Sequence, residues 1–437
     1  MKLKTTILAM LFAISVSAQV NEVPTPRYGH SVVYNDQDSN YYIFGGTILN
    51  STKSTTSNFD ACVYKYDPFA KTFTKVCPPA APEVSGHKAL MINGKMVVVG
   101  GSRANAGNFL YSYDPLSNLW QNIAYQYGPD ARKIATGAAV IGNYIYYMGG
   151  KNFDNSVSNE VWKYDINNNT FTLMSSMPQS GRYAHQVVAH NGTLLVFGGR
   201  DENGEQSQMI SFDPTSNSWD FFDPMGMPPM ARANNLSGVL PDEMWIAGGE
   251  TWSTKKSTQS TNFFTDIWKL DLSQTPAKWI KKSENFIPVT NGVGWISVEN
   301  NDTLFYSFGG ISEITSTGDT TITNNFYRYN ITQSIVEQYH EDTQNWGGII
   351  TSINENDFSQ NINLQIYPNP ATSEISLTIP NNEIIVSIKI YNQNGQLVKQ
   401  INKPDSQKIT ISDLKTGLYF IRTDTETNRY LSKMIKE

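Results

Sequence analysis

The chain has 437 residues, more than one ordinary domain needs and enough for a large β domain with a smaller companion. Charged residues make up 16% of it, against roughly 25% in an average soluble chain, while Tyr, Asn, Ser and Thr are abundant, which suits many short strands joined by polar turns. A formal net charge of -6 leaves no excess of basic side chains to neutralise phosphates, so nucleic acid and anionic membrane surfaces are poor partners.

Residues 1–18 read as a secretory signal peptide. Lys2 and Lys4 precede an apolar run from Ile7 to Val16 that closes on the small residues Ser17 and Ala18. That run is 10 residues, where a bilayer-spanning helix needs about 20. No later segment is long and apolar enough to span, so no transmembrane segment is expected. Cleavage after Ala18 leaves an exported, soluble protein.

The next 320 or so residues, 19–340, repeat themselves. Glycine doublets close apolar runs at Gly45-Gly46, Gly100-Gly101, Gly149-Gly150, Gly198-Gly199, Gly248-Gly249 and Gly309-Gly310. Each run reads as a buried strand that ends where backbones crowd and a Cβ would clash. Downstream of each doublet an aromatic or apolar residue precedes Asp or Asn and a turn, as at Tyr66-Asp67-Pro68, Tyr113-Asp114-Pro115, Tyr164-Asp165, Phe212-Asp213-Pro214, Leu270-Asp271 and Tyr329-Asn330. In the first four repeats a further aromatic follows six positions on (Phe73, Trp120, Phe171 and Trp219), which makes a hairpin around each turn. The unit is four strands in about 50 residues, six times over.

A third signature opens each unit: Arg27-Tyr-Gly-His30 and Arg182-Tyr-Ala-His185 in full, Gly86-His87, Arg132 and Arg232 in part. Together the three signatures resemble the kelch family over roughly residues 24–340. The resemblance implies an all-β fold, a six-bladed β-propeller whose first strands line a central channel. The sixth repeat, around Val289 to Val298, lacks both Arg and His. Every repeat owns four strands, with Ser334 to Tyr339 supplying the last, so the ring is expected to close by packing complete blades, aided by Val20 to Val23.

The two cysteines are Cys62 and Cys77. If Tyr66 and Phe73 oppose each other across the hairpin turn, Cys62 and Cys77 are also opposed, at a separation a disulfide tolerates. An exported chain meets an oxidising compartment that supports the bond; two buried free thiols are the alternative. Two cysteines exclude a zinc cluster, no ligand spacing suggests another metal, and no motif suggests a cofactor.

Residues 341–363 are rich in Asn, Asp, Glu and Gln and read as a linker. From Leu364 onward, Ile375-Ser-Leu377-Thr-Ile379 and Val386-Ser-Ile388-Lys-Ile390 alternate with period two, Asn394-Gly395 marks a turn, and further strands follow at Ile409 to Ile411 and Leu418 to Arg422. This pattern gives a small antiparallel β-sandwich. Tyr367-Pro-Asn-Pro370, Asn394-Gly395-Gln-Leu-Val398, Leu414 to Tyr419 and the terminal Lys433-Met-Ile-Lys436 make residues 364–437 resemble the type A sorting domain of the type IX secretion system. The resemblance implies a Gram-negative host, contact with that secretion machinery, and release or anchoring at the outer cell surface.

No nucleophile elbow, zinc-protease helix or phosphate-cradling loop is present, so no catalytic residue is assigned. Three of the five histidines, His30, His87 and His185, recur with the structural period, which favours packing over chemistry. Arg27, Arg132, Arg182 and Arg232 should ring one mouth of the channel, joined by Arg103 and Arg200 from the loops after the doublets. Planar cations recognise carboxylate and sulfate through paired donors, which suits an acidic glycan or an acidic protein segment; scaffold contacts to loop carbonyls are the other reading. From doublet to turn, repeats 1, 5 and 6 span 22, 23 and 21 residues against 14 to 16 in the others. Three long neighbouring loops, including Trp252, should wall one side of that mouth. The expected function is a secreted or cell-surface module binding a protein or glycan. Its rivals are a carbohydrate-active enzyme resembling kelch sialic-acid epimerases, with Glu250, Glu202 or Asp201 as acid or base, and a structural surface component.

Overall fold

The structure is a computed structural model, and it describes residues 22–48, 58–103, 109–125, 127–130, 133–178, 181–252, 261–299, 302–314, 320–341, 344–349, 365–378, 383–392, 397–404, 406–425 and 429–437. The expected signal peptide lies outside these. Every regular element among them is a strand, and no helix is long and apolar enough to cross a membrane.

Six antiparallel sheets follow the repeat, each with its strands in chain order. The first consists of Ser31–Asn35, Asn40–Phe44, Val63–Asp67 and Thr72–Val76. The fourth, Tyr183–His190, Thr193–Asp201, Met209–Asp213 and Ser218–Phe222, shows the same order with longer inner strands. The Asp of each turn explains the second sequence signature: Asp67 Oδ1 accepts the backbone N–H of Phe69 at 2.8 Å, and Asp114, Asp165, Asp213 and Asp271 each do the same two residues on.

One residue per sheet closes the ring. Gly29 N–H donates to Asn291 O, Asn291 to Asn234, Asn234 to Ala184, Ala184 to Ala135, Ala135 to Gly86, and Gly86 back to Gly29, at 2.6 to 3.1 Å. All six have φ between 53° and 67°, the left-handed region. The first and sixth sheets meet without sharing a strand, and their neighbouring faces bury one aromatic cluster containing Tyr66, Phe73, Phe326 and Tyr339.

A second ring uses the glycine doublets. The second glycine of each doublet donates its N–H to a carbonyl of the next blade, as Gly150 does to Arg182 at 2.7 Å and Gly310 does to Arg27 at 2.8 Å. At Gly149 a Cβ would stand 2.2 Å from Arg182 O with φ at +65°, and at Gly150 it would stand 2.2 Å from Thr136 with φ at +91°. The doublet is thus demanded by inter-blade approach and by backbone conformation together.

The linker expectation needs correcting. Asn345–Ile349 pairs with Ile335–His340 as a fifth strand on the sixth sheet, and its Trp346 is buried in the aromatic cluster. A polar composition hid this strand because a single tryptophan carries its burial. Cys62 and Cys77 are joined, with Cα atoms 4.2 Å apart, one step beyond the Val63–Val76 pair.

The C-terminal segment forms two sheets. One contains Gln365–Tyr367, Glu374–Thr378 and Lys408–Thr410, and the other Leu397–Asn402, Ile385–Asn392, Gly417–Thr425 and Arg429–Lys436. Ile375, Leu377, Ile388, Ile390, Ile409, Ile421 and Met434 share its core. The alternation fails at one point: Val386 is exposed and Ile385 buried, because a register shift between Ile385 and Ser387 turns the strand over. The Asn394-Gly395 turn lies outside the described residues.

Candidate functional site

The arginines that open the repeats are structural members. Arg27, Arg182 and Arg232 are buried, and each sends Nη1 to the carbonyl of the first doublet glycine of its own blade, Gly45 at 3.1 Å, Gly198 at 3.4 Å and Gly248 at 3.0 Å. Their own carbonyls accept from the preceding blade's doublet. Each arginine therefore ties two blades. Arg27 is further paired with Asp60 at 2.5 Å and lies over Tyr64; Arg232 is paired with Asp266 and lies over Phe264. Among the described residues Arg182 bonds to carbonyls, its Nη1 also donating to Gln208 O at 2.8 Å, and burial pushes its pKa down, partly offset by the charge of Asp201. Buried against these partners, the three do not form the open cationic mouth that the repeat pattern implies.

Arg132 lies outside the described residues. The cation that takes the repeat position in the third blade is Lys133, fully buried, bonded to Ser158 and Glu160, with its carbonyl accepting from Gly101. The sequence signal for it existed, since Lys133 is as regularly spaced from Arg182 as Arg132 is; a one-residue ambiguity favoured the arginine.

The histidines are packing residues. A Cβ at Gly45, Gly149 or Gly309 would touch Cε1 of His87, His185 or His30 within 2.6 to 2.8 Å, so each imidazole fills the space above the neighbouring doublet. Burial first, then the charges of nearby Arg and Lys, hold His185 down to about 3, and burial likewise lowers His30. They line, with Lys88, Thr136, Gln186 and Asn235, a small cavity of about 80 Å³ inside the ring of six backbone bonds.

The long loops become arms at the same end. Thr47–Ile48 pairs with Asn58–Phe59, Glu250–Trp252 with Thr261–Phe263, and Ile311–Ile314 with Thr320–Ile322. Two residues expected at the mouth do come together here. Arg200 lies 4.7 Å from the ring centroid of Trp252 and is bonded to Glu205, whose Oε1 also accepts the Trp252 N–H at 3.0 Å. Glu205 was not singled out by sequence, because nothing in its spacing marks it. Of the candidate acids, Glu250 is buried and accepts from Asn234 Nδ2 at 3.0 Å, Asp201 is buried and caps the Asn203 N–H, and Glu202 is exposed. Arg103 lies on a short strand, Ser102–Arg103, paired with Val84–Ser85 of its own blade.

A wide cavity lies at the opposite end of the inner strands, where sequence reading placed nothing. It encloses about 830 Å³ between the fifth, sixth and first blades. Tyr34 (46% exposed), Phe69 (84%), Val239 (53%) and Val298 (58%) surround it, and Lys71 and Glu299 add one charge of each sign. Its wall is aromatic: Tyr41 lies 4.9 Å from both Tyr34 and Trp295, and Trp295 stacks on Tyr306 at 5.0 Å. Glu299 is held by the Tyr306 hydroxyl at 2.7 Å, and burial pushes the Tyr41 hydroxyl up to about 12. Close approach of the inner strands of blades 5 and 6 makes the floor, since a Cβ on Gly238 would meet Ile296 N at 2.6 Å. The signal that sequence offered was Phe69, an aromatic at the tip of a turn that needs none.

Known proteins place the chain in context. Residues 12–180 and 137–346 match the KLHDC2/KLHL20/DRC7 Kelch-repeats domain, and residues 365–437 match the Secretion system C-terminal sorting domain. Kelch domain-containing protein 3 of Homo sapiens is 24% identical over 260 residues, covering 55% of this chain and 66% of that protein. Kelch-like protein 36 of Rattus norvegicus is 27% identical over 187 residues, 41% of this chain and 27% of that one. The match thus spans just under two thirds of the former relative and about a quarter of the latter. Among solved structures, YjhT superposes with a TM-score of 0.53 at 18% identity, covering 70% of this chain and 96% of that chain.

Proposed function

Because this chain belongs to the kelch-repeat family and ends in a type IX secretion sorting domain, we propose that it is an exported binding module that grips a partner protein in the wide cavity between blades 5, 6 and 1. The observation that carries this reading is the gathering of Tyr34, Phe69, Val239 and Val298, all exposed, around one concave space. Scattered exposed apolar residues are ordinary, but a cluster rimmed by a lysine and a glutamate has the make-up of a protein-binding patch. An apolar or aromatic side chain of the partner would enter between Phe69 and Val298, with Lys71 and Glu299 fixing polar ends of the segment. The acidic-glycan reading loses support from the burial of Arg27, Arg182 and Arg232, and a single lining carboxylate favours binding over acid–base chemistry.

The test is an array of peptides and an array of acidic glycans probed in parallel with the full chain, its Phe69→Ala/Val298→Ser variant and its Arg200→Ala variant, at matched thermal stability. Binding to peptides with aromatic or aliphatic anchors, weakened at least about tenfold in the first variant, supports the reading. Binding to acidic glycans alone, lost on Arg200→Ala, overturns it and moves the site to the arm-bearing end.

A further inference from the structure

The small cavity at the arm-bearing end has a feature that packing alone does not explain. Lys88, the first residue of the strand Lys88–Ile92, lies inside the channel. It is half-buried among the lining residues, and burial pushes its ammonium group down to about 8. Below that pH it is a cation. Its bonded partner is the neutral Gln186, from Nζ to Oε1 at 3.4 Å, and Gln186 is itself fixed by Ser237 Oγ at 2.9 Å and by its own bond to Asn235 O at 2.6 Å.

Among the described residues, three buried cations at this end have a carboxylate as counter-charge. Arg27 has Asp60, Arg232 has Asp266, and Lys133 has Glu160. No carboxylate lines the cavity that holds Lys88. Arg182, in the same blade as His185, is bonded among the described residues to carbonyls, through Nη1. Lys88 therefore faces a lining that offers it no counter-charge, and a charge taken out of water without one is costly.

The cavity also contains buried polar atoms without a protein partner among the described residues: Thr136 Oγ1, both ring nitrogens of His185, and Asn235 Oδ1. Buried polar groups in native proteins find a partner in protein, water or an ion. About 80 Å³ is several times the space one water needs. A neutral imidazole and a threonine hydroxyl each offer a donor, and the ammonium offers three.

We propose that the channel binds a small inorganic anion of the halide class, held by Lys88 with Thr136 and His185 as neutral donors, and with water bridging to Asn235. The ion supplies the charge that the lining lacks, and it sits where four blades meet, so it acts as a linchpin of the ring.

The experiment uses the full chain and chloride or bromide as probe, near neutral pH. Thermal melting is followed in sodium chloride and in sodium gluconate of equal ionic strength, gluconate being too bulky for the cavity. A melting temperature that rises saturably with chloride in the wild type, with the rise retained in Lys88→Arg and lost in Lys88→Met, supports the site. Crystals grown with bromide give a second measurement that holds even where Lys88→Met does not fold: an anomalous peak within hydrogen-bond reach of Lys88 Nζ is expected. Equal chloride response in wild type and Lys88→Met, or a bromide map with no peak in the channel, means water only and overturns the proposal.

Discussion

Arg232 and Asp266 face each other through two hydrogen bonds, Nη1 to Oδ1 at 2.6 Å and Nη2 to Oδ2 at 2.9 Å, with the guanidinium fully buried. The planar fork meets the carboxylate two-to-two, which lysine could not do. Burial alone would raise the Asp266 pKa, but bonding and charge from Arg232 and the Trp268 N–H more than offset it, so the carboxyl sits below its ordinary value. Asp266→Ala should leave Arg232 charged and unpaired at a cost of about 3–5 kcal/mol. Pairing Asp266→Leu with Arg232→Met should recover part of that loss. Arg182→Met, where only carbonyls are abandoned, should cost less than Arg232→Met. Urea unfolding of the four variants checks the order. Because the folded pKa of Asp266 is depressed, its contribution is present above the unfolded value near 4 and fades as pH falls through the folded one.

That contrast also shows what sequence could and could not say. The period, the doublets and the Asp turns are local requirements of backbone conformation, so they were legible, as were the six units and the opposition of Cys62 to Cys77. The fate of Arg27, Arg182 and Arg232 was not legible, because Asp60 and Asp266 lie 33 and 34 residues away at positions no local rule marks. A repeated arginine looks alike whether it faces a ligand or a neighbouring carbonyl. The wide cavity was hidden for a related reason: Tyr34, Phe69, Val239 and Val298 come from three blades, and only ring closure brings the first beside the fifth and sixth.

His185 and His30 give the ring a dependence on acidity. Burial holds His185 down to about 3 and lowers His30 as well, so both stay neutral in the fold where the unfolded chain takes up protons. Stability is then fully present above the unfolded value near 6.5 and falls as pH drops toward 3, by about 1.4 kcal/mol per pH unit for each such histidine. Urea midpoints between pH 6.5 and 4 should show this slope. His185→Asn should flatten it by roughly one proton; an unchanged slope would show that His185 already titrates normally.

The Cys62–Cys77 bond joins the two outer strands of the first blade, close to Asp60, whose Oδ1 accepts the Cys62 N–H at 2.8 Å. Asp60 is the partner of Arg27, so the bond also steadies an inter-blade tie. Cys62→Ser/Cys77→Ser should lower stability by about 3 kcal/mol, the magnitude expected for a loop of this length. Reductant should lower the melting temperature of the wild type to that of the variant and leave the variant unmoved.

The fifth strand of the last blade sets how firmly the ring closes. Trp346 is packed against Phe326, Tyr339 and Tyr306 at centroid distances of 4.7, 5.5 and 5.6 Å, and Arg328 lies over its ring at 4.6 Å. Tyr339 in turn reaches across to the first blade, its hydroxyl donating to Lys71 O at 2.7 Å, and Val23 N–H donates to Glu341 at 3.2 Å. Removing the indole uncovers a cluster that both end blades share. Trp346→Ala should therefore cost about 3–5 kcal/mol, whereas Trp252→Ala, at a half-exposed position on an arm, should cost about 1 kcal/mol or less. Proteolysis should cut Trp346→Ala first near the first and last blades, since strands that lose a shared core open before those that keep theirs. Equal stability of the two variants would mean that Asn345–Ile349 decorates the sheet without securing the ring.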